Sequence, residues 1–294
     1  MESLIGVLQQ IQEIVWGPPT MILLLITGLY YTLRLGFLQF IHLPKAIRYI
    51  FEKEEGSVGD VSAFASLCTA LAATIGTGSI VGVATALRVG GPGALFWMWV
   101  SAVLGMATKY AEGVLAIKYR SIDENGEVAG GPMYYIEQGM GSKWKWLAKL
   151  FAFFGAVTAL MGCGTFPQVN AITESVSNAF SVPIPLVGAV VTIATAAVVL
   201  GGIKSISSVA EFVVPLMAAF YVAASAYVLF NQSAALPGAF VLVVKSAFEP
   251  TAVAGGATGA VIVSVMTAMR TGIARGVYTN EAGLGSAPIV VAAA

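Results

Sequence analysis

Long runs without a charged residue are the feature that most constrains how this chain folds. A helix needs about 20 apolar residues to cross a bilayer, and inside lipid its backbone groups must be hydrogen-bonded within the segment. Only 10% of the 294 residues are charged, whereas 57% are hydrophobic. The sequence therefore predicts an all-α polytopic membrane protein. The uncharged runs are 14–33, 61–87, 89–108, 150–173, 175–203, 212–244, 250–269 and 282–294.

The apolar runs and the residues that interrupt them predict seven membrane crossings. Residues 1–17 lack a basic start and a cleavage site, so we expect a short interfacial helix rather than a signal peptide. Residues 231–259, which carry Pro237 and Pro250, are expected to form a loop with a short helix. The crossings are expected at about 18–38, 62–88, 92–118, 146–179, 183–202, 206–230 and 259–290.

Charge placement predicts the orientation. Fifteen basic and fifteen acidic residues balance, so nothing indicates a nucleic-acid-binding surface. Basic residues concentrate in segments 34–60 and 118–149, and basic loops stay in the cytoplasm. The hairpins "VGGPG" and "SVPIP" contain none. We therefore expect the N-terminus outside the cell. Cys68 and Cys163 lie in apolar runs, where buried thiols usually serve packing.

The second predicted crossing contains "IGTGSIVG", a glycine-broken segment. One interpretation is tight helix packing through Gly76, Gly78 and Gly82. Because Gly76 and Gly78 are two apart and face different directions, we favour an unwound turn over Gly76–Ser79. Unwound backbone survives inside a membrane where it lines a cavity or binds something. The N-terminus of a half-helix suits a carboxylate, and freed carbonyls suit a bare cation.

A second glycine-interrupted segment, "RTGIARGVYTNEAGLGSAP", lies five crossings later. An offset of five makes the two broken helices run in opposite directions, as in an inverted repeat of five plus five spans. In the fourth crossing, Phe166 and Gln168 flank Pro167, whose missing N–H loosens a helix. They could supply an apolar wall and an amide to a small zwitterion, or Gln168 could be polar packing.

Four longer strings resemble the alanine or glycine:cation symporter family, also called sodium:alanine symporters: "GGPGALFWMWVSAVLG", "MATKYAEGVLAIKYR", "GGPMYYIEQGMG" and "TNEAGLGSAP". The resemblance implies a LeuT-type five-plus-five inverted repeat with an extra N-terminal helix. Where this chain has Ser79, family members usually have asparagine, so the polar contact there differs. The resemblance implies substrate contacts from Gly76, Thr77, Gly78, Ser79, Phe166, Gln168, Tyr278 and Thr279, and candidate sodium ligands at Ala73, Gly76 and Asn280.

The expected function is sodium-coupled symport of alanine or glycine into the cell by alternating access. The alternatives are a proton-coupled amino-acid carrier and a non-transporting scaffold or channel-like protein. We expect no enzymatic activity, no cofactor other than sodium as coupling ion, no obligatory protein partner, and a multi-pass location in the cell membrane. The chain is expected to be a single transmembrane domain and the front part of a longer protein with an incomplete second repeat. Its predicted segments are 1–60 (N-terminal helix and cytoplasmic loop), 61–231 (first repeat) and 232–294 (extracellular loop and start of the second repeat).

Overall fold

The fold was obtained as a computed structural model that describes residues 2–52, 59–122, 124, 127–162, 164–255 and 259–294. Most of these residues are helical. Cys163 lies outside the described residues. The helices are α1 Glu2–Val15, α2 Pro18–Arg34, α3 Leu38–Ile41, α4 Leu43–Phe51, α5 Ala63–Thr74, α6 Thr77–Gly90, α7 Gly93–Lys118, α8 Pro132–Met140, α9 Lys145–Leu160, α10 Thr165–Phe180, α11 Ile184–Val199, α12 Gly202–Asn231, α13 Leu236–Ser246, α14 Val265–Asn280 and α15 Ala287–Ala292.

Several helical segments are long and apolar enough to cross a membrane. The large side chains of α12 illustrate their surface, since Phe212, Phe220 and Phe230 are 76%, 76% and 81% exposed. Apolar surface of this extent belongs in lipid rather than in water. The prediction of a helical polytopic membrane protein is therefore confirmed. Among the described residues the five candidate spans are Ile5–Arg34, Ala63–Gly90, Gly93–Lys118, Ser142–Phe180 and Gly202–Asn231.

These spans match five of the seven predicted crossings. The predicted crossing at 183–202 is the shorter apolar helix α11. The predicted crossing at 259–290 starts too early, because residues 259–263 form a strand and α14 begins at Val265. The short helix expected within 231–259 is α13. The residues expected to form an interfacial helix are helical from Glu2 to Val15.

Two short antiparallel hairpins interrupt the helical order and were not predicted. β1 (Ser121–Ile122) pairs with β2 (Val128–Ala129). β3 (Thr251–Gly255) pairs with β4 (Gly259–Val263), with Thr251 opposite Val263 and Gly255 opposite Gly259. The β3–β4 segment combines valine, isoleucine and threonine with a glycine-rich centre, a composition that suits a hairpin. The class is therefore helical with two small hairpins.

The fourth predicted crossing is split in two. α9 ends at Leu160 and α10 begins at Thr165, and Gly162 between them has φ +62°. Pro167 was expected to loosen this helix. It lies instead in the first turn of α10, where a helix needs no N–H from it. The break therefore precedes the proline, between Leu160 and Thr165.

The chain divides into two compact units. The first comprises residues 1–46, 78–111 and 223–284. Its core is a cluster of Met21 from α2 with Ile273 and Val277 from α14. The backbones of α2 and α7 also approach closely, since a Cβ on Gly28 would lie 2.8 Å from Leu104 Cβ. Packing within this unit thus depends on α2, α7 and α14.

The second unit comprises residues 47–77, 112–222 and 285–294. Its core is Cys68 of α5 with Ala210 and Val214 of α12. Thr69 Oγ1 donates to Ser207 Oγ at 3.2 Å, which links the same two helices. Burial of Cys68 agrees with a packing role for this thiol. The division of the chain into repeats stays a prediction.

Candidate functional site

The first glycine-rich segment does interrupt a helix, but over a shorter stretch than expected. α5 ends at Thr74, Ile75 has φ −89° and ψ 76°, and α6 begins at Thr77. The break is therefore Ile75–Gly76 rather than Gly76–Ser79. Thr77 to Ser79 form the first turn of α6, whose backbone N–H groups have no partner within their own helix.

In the second unit, the group beside this break is the Gln168 amide. A Cβ on Gly76 would lie 3.6 Å from Gln168 Oε1 and 3.7 Å from Nε2. Gln168 is half-buried in the first turn of α10. Ala73, an expected sodium ligand, lies in the last turn of α5, where carbonyls lack helical partners. This unit thus places an amide and a helix end around Gly76.

Phe166 has a different environment from the one expected for a site wall. Its side chain is 71% exposed, and its ring lies close to Gly162 of the preceding break. It also lines an open groove of about 660 Å³ between α10 and α11. The side chain that a Cβ on Gly76 would meet is that of Gln168. The structure therefore brings Gln168 to the break, whereas Phe166 faces the groove.

In the first unit, three glycines of α6 face three side chains of α14, an arrangement that we call the α6–α14 seam. A Cβ on Gly78 would lie 3.3 Å from Tyr278 Cε1, one on Gly82 2.6 Å from Arg275 Nη1, and one on Gly90 2.9 Å from Thr271 Cβ. Thr279 Oγ1 lies 3.4 Å from the Gly78 carbonyl and donates to it. Rising numbers on α6 meet falling numbers on α14, so the two helices are antiparallel.

The two interpretations of the glycines, an unwound turn and close helix packing, apply to different residues. Gly76 belongs to the break, whereas Gly78 and Gly82, four apart, serve close helix packing. Because α6 and α14 are antiparallel, the N-terminal end of α6 lies beside the C-terminal end of α14. The expectation of oppositely directed helices agrees with this geometry, although the complete inverted repeat stays a prediction.

The second break follows α14. Glu281 caps the helix in the left-handed conformation with φ +55°, and Gly283 and Gly285 also have positive φ, at +85° and +76°. α15 begins at Ala287. The chain therefore leaves its helical path over 281–286, within the segment where the sequence predicted an interruption.

Lys109 of α7 binds the end of α14. Its Nζ donates to the Asn280 carbonyl at 3.0 Å, and Asn280 Oδ1 accepts a hydrogen bond from the Ala282 N–H at 2.9 Å. Both oxygens of Asn280 thus accept from donors of the chain, and its role as a sodium ligand stays a prediction. Lys109 lies within the string "MATKYAEG", where its spacing of three residues from Glu112 gives no sign of a contact with a helix far along the chain.

These features define a class: a multi-pass helical membrane protein with broken helices, in which a helix N-terminus lies beside a helix C-terminus. The chain belongs to the sodium:alanine symporter family, whose family model matches residues 1–294. The sequence had predicted this family.

Individual relatives agree with the family match. An uncharacterized transporter of Haemophilus influenzae is 54% identical over 289 residues, which are 98% of this chain and 62% of the relative. The sodium/alanine symporter AgcS of Methanococcus maripaludis is 50% identical over 294 residues, 99% of this chain and 63% of the relative. The probable sodium/glutamine symporter GlnT of Bacillus subtilis is 36% identical over 296 residues, 100% of this chain and 59% of the relative. The chain thus spans about 60% of the length of these relatives.

Proposed function

We propose that the protein is a secondary active transporter that couples sodium entry to the uptake of a small neutral amino acid, alanine or glycine, by alternating access. The observation that carries the proposal is the antiparallel α6–α14 seam. It places the N–H end of one helix beside the carbonyl end of another. Family membership and the 50% identity to a sodium/alanine symporter support the same activity.

The ends of the two helices complement a zwitterion. The first turn of α6 presents N–H groups and partial positive charge, which favour a carboxylate. The last turn of α14 presents carbonyl oxygens and partial negative charge, which favour an ammonium group or a sodium ion. An amino acid carries both charges, so one small molecule can satisfy both ends. No bond in the substrate is made or broken in this process.

Two groups of residues are proposed to contact the substrate. They are consecutive in the sequence, where one group ends at Thr77 and the other begins at Gly78. In one group, Gly76 and Thr77 supply backbone, with the Gln168 amide beside Gly76. In the other, Gly78 and Ser79 supply backbone, and Tyr278 and Thr279 contact Gly78. Tyr278 is an aromatic wall that restricts substrate size.

The coupling ion requires oxygen ligands, since sodium is a hard cation. Carbonyls at the end of α5, including that of Ala73, and the carbonyl of Gly76 are the candidates. In the first unit Asn280 is a further candidate, since each of its two oxygens keeps a second lone pair beside the donor that it already accepts. No further cofactor is needed, because the sodium gradient supplies the driving force.

The test is uptake of labelled alanine and glycine into proteoliposomes that contain the protein. Parallel measurements use an inward gradient of sodium, potassium or protons, with unlabelled glutamine as a competitor. Saturable uptake that requires sodium is the expected result. Uptake driven by protons alone would favour a proton-coupled carrier. Lack of saturable uptake under every gradient would favour a scaffold or channel-like protein.

A further inference from the structure

Arg275 occupies the centre of the α6–α14 seam. Its guanidinium packs on the Tyr278 ring, with Cζ 5.5 Å from the ring centroid. It also faces Gly82, where an added Cβ would lie 2.6 Å from Nη1 and 2.9 Å from Cζ. Gly82 is buried. The absence of a side chain at position 82 thus makes the space that the guanidinium fills.

This guanidinium lacks a polar partner within the part of the chain that the structure describes. Its contacts there are the Tyr278 ring and the Gly82 backbone, and no carboxylate or carbonyl accepts from it. A guanidinium carries five N–H donors and stays charged. An ionisable side chain within a membrane crossing, such as the predicted crossing that contains α14, is costly unless it is paired, and it points to a role in binding. Arg275 is therefore suited to an acceptor that arrives from outside the fold.

The surroundings of Arg275 select for an anion. The two helices of the seam contain no aspartate or glutamate, so neither helix supplies a carboxylate to the guanidinium. Along α6, Gly82 is four residues, or about 6 Å, from Gly78. The guanidinium thus lies about one helical turn from the N–H groups at the start of α6. Both features attract the same kind of group, a carboxylate.

We propose that Arg275 is a specificity-determining residue that binds the carboxylate of the incoming amino acid before the carboxylate reaches the first turn of α6. A planar guanidinium holds a carboxylate through two parallel hydrogen bonds, a geometry that lysine does not reproduce. The ligand class is therefore a small monocarboxylate with a free carboxyl group. This inference rests on the proposed transport function and names a second residue group that recognises the same substrate.

A purely structural role for Arg275 makes a different prediction. If the guanidinium only orients Tyr278, then its loss lowers the affinity for every substrate by the same factor. If it binds the carboxylate, then its loss lowers the affinity for substrates that have a carboxylate. The affinity for substrates without one stays almost unchanged. The ratio of the two affinities separates these roles.

The experiment compares L-alanine with L-alaninamide, which lacks the carboxylate, as competitors of sodium-driven alanine uptake into proteoliposomes. We expect Arg275→Gln to reduce the preference for alanine over alaninamide by about tenfold, the effect of losing one charged hydrogen-bonded contact. Arg275→Lys should give a smaller loss. Arg88→Gln is the matched control, because it removes the same charge from an exposed residue of the same helix pair. It should leave the preference unchanged.

Each alternative outcome is informative. An unchanged preference in Arg275→Gln, or an equal loss in Arg88→Gln, overturns the assignment of Arg275. If Arg275→Gln does not fold, Arg275→Lys decides, and an unchanged preference in that variant overturns the assignment as well. Failure of the unmodified protein to take up alanine with sodium contradicts the proposed transport function instead. The two failures are therefore distinguishable.

Discussion

At the scale of single residues, Gly78 illustrates a glycine that serves contact rather than a turn. It lies in the first turn of α6, and its missing side chain leaves room for Tyr278, whose Cε1 would be 3.3 Å from a Cβ. Valine adds two methyl groups beyond that Cβ. Gly78→Val should therefore displace Tyr278 and abolish alanine uptake. Gly155→Val is the matched control, because Gly155 is an exposed helical glycine of α9 with no atom within 4 Å of its Cβ position. Normal uptake by Gly78→Val would remove the seam from the proposed site.

A second prediction at the scale of single residues concerns Gln168, which belongs to the residue group around Gly76. Its amide lies beside Gly76, so Gln168→Leu keeps the approximate side-chain volume and removes the polar contact. We expect the apparent KM for alanine to rise tenfold or more, or about 1.4 kcal/mol. Asn170→Leu, at an exposed position two residues further along α10, is the control and should keep the KM of the unmodified protein. An unaltered KM in Gln168→Leu would make the amide a packing group.

At the scale of helices, the sequence was sufficient to predict the helix breaks and the apolar spans. It was not sufficient to predict which residues contact them. Glycine content and apolar length are local properties, so α5–α6 and the end of α14 could be predicted. The extent of the first break, the Arg275–Gly82 contact and the Lys109–Asn280 hydrogen bond depend on residues far apart in the chain. Gly93 shows the same limit. It was expected in the exterior hairpin "VGGPG". It begins α7, and a Cβ there would lie against the backbone of Ser246 and Ala247, a contact that the sequence did not indicate.

The prediction at the scale of helices concerns the hydrogen bond at the end of α14. The Lys109 ammonium donates to the Asn280 carbonyl, where the helix also carries partial negative charge. Lys109→Met removes the donor and should destabilise the protein by about 1.5–3 kcal/mol, the usual contribution of a hydrogen bond to a charged group. Thermal unfolding in detergent measures this change. Lys109→Arg should recover part of the stability, and a melting temperature unchanged in Lys109→Met would show that α14 needs no such cap.

At the scale of the whole molecule, the prediction concerns the orientation in the membrane. Contacts within the chain do not determine this orientation, because it follows from the placement of basic residues. Segments 34–60 and 118–144 should be cytoplasmic. The test uses a background without Cys68 and Cys163, to which single cysteines are added at Ser57, Ser142 or Ser181. Ser142 and Ser181 are exposed, and Ser57 lies outside the described residues. In sealed cells, an impermeant thiol reagent should label Ser181→Cys only, whereas Ser57→Cys and Ser142→Cys should react only after the membrane is opened. Labelling of Ser142→Cys from outside would reverse the orientation and place the basic segments on the exterior.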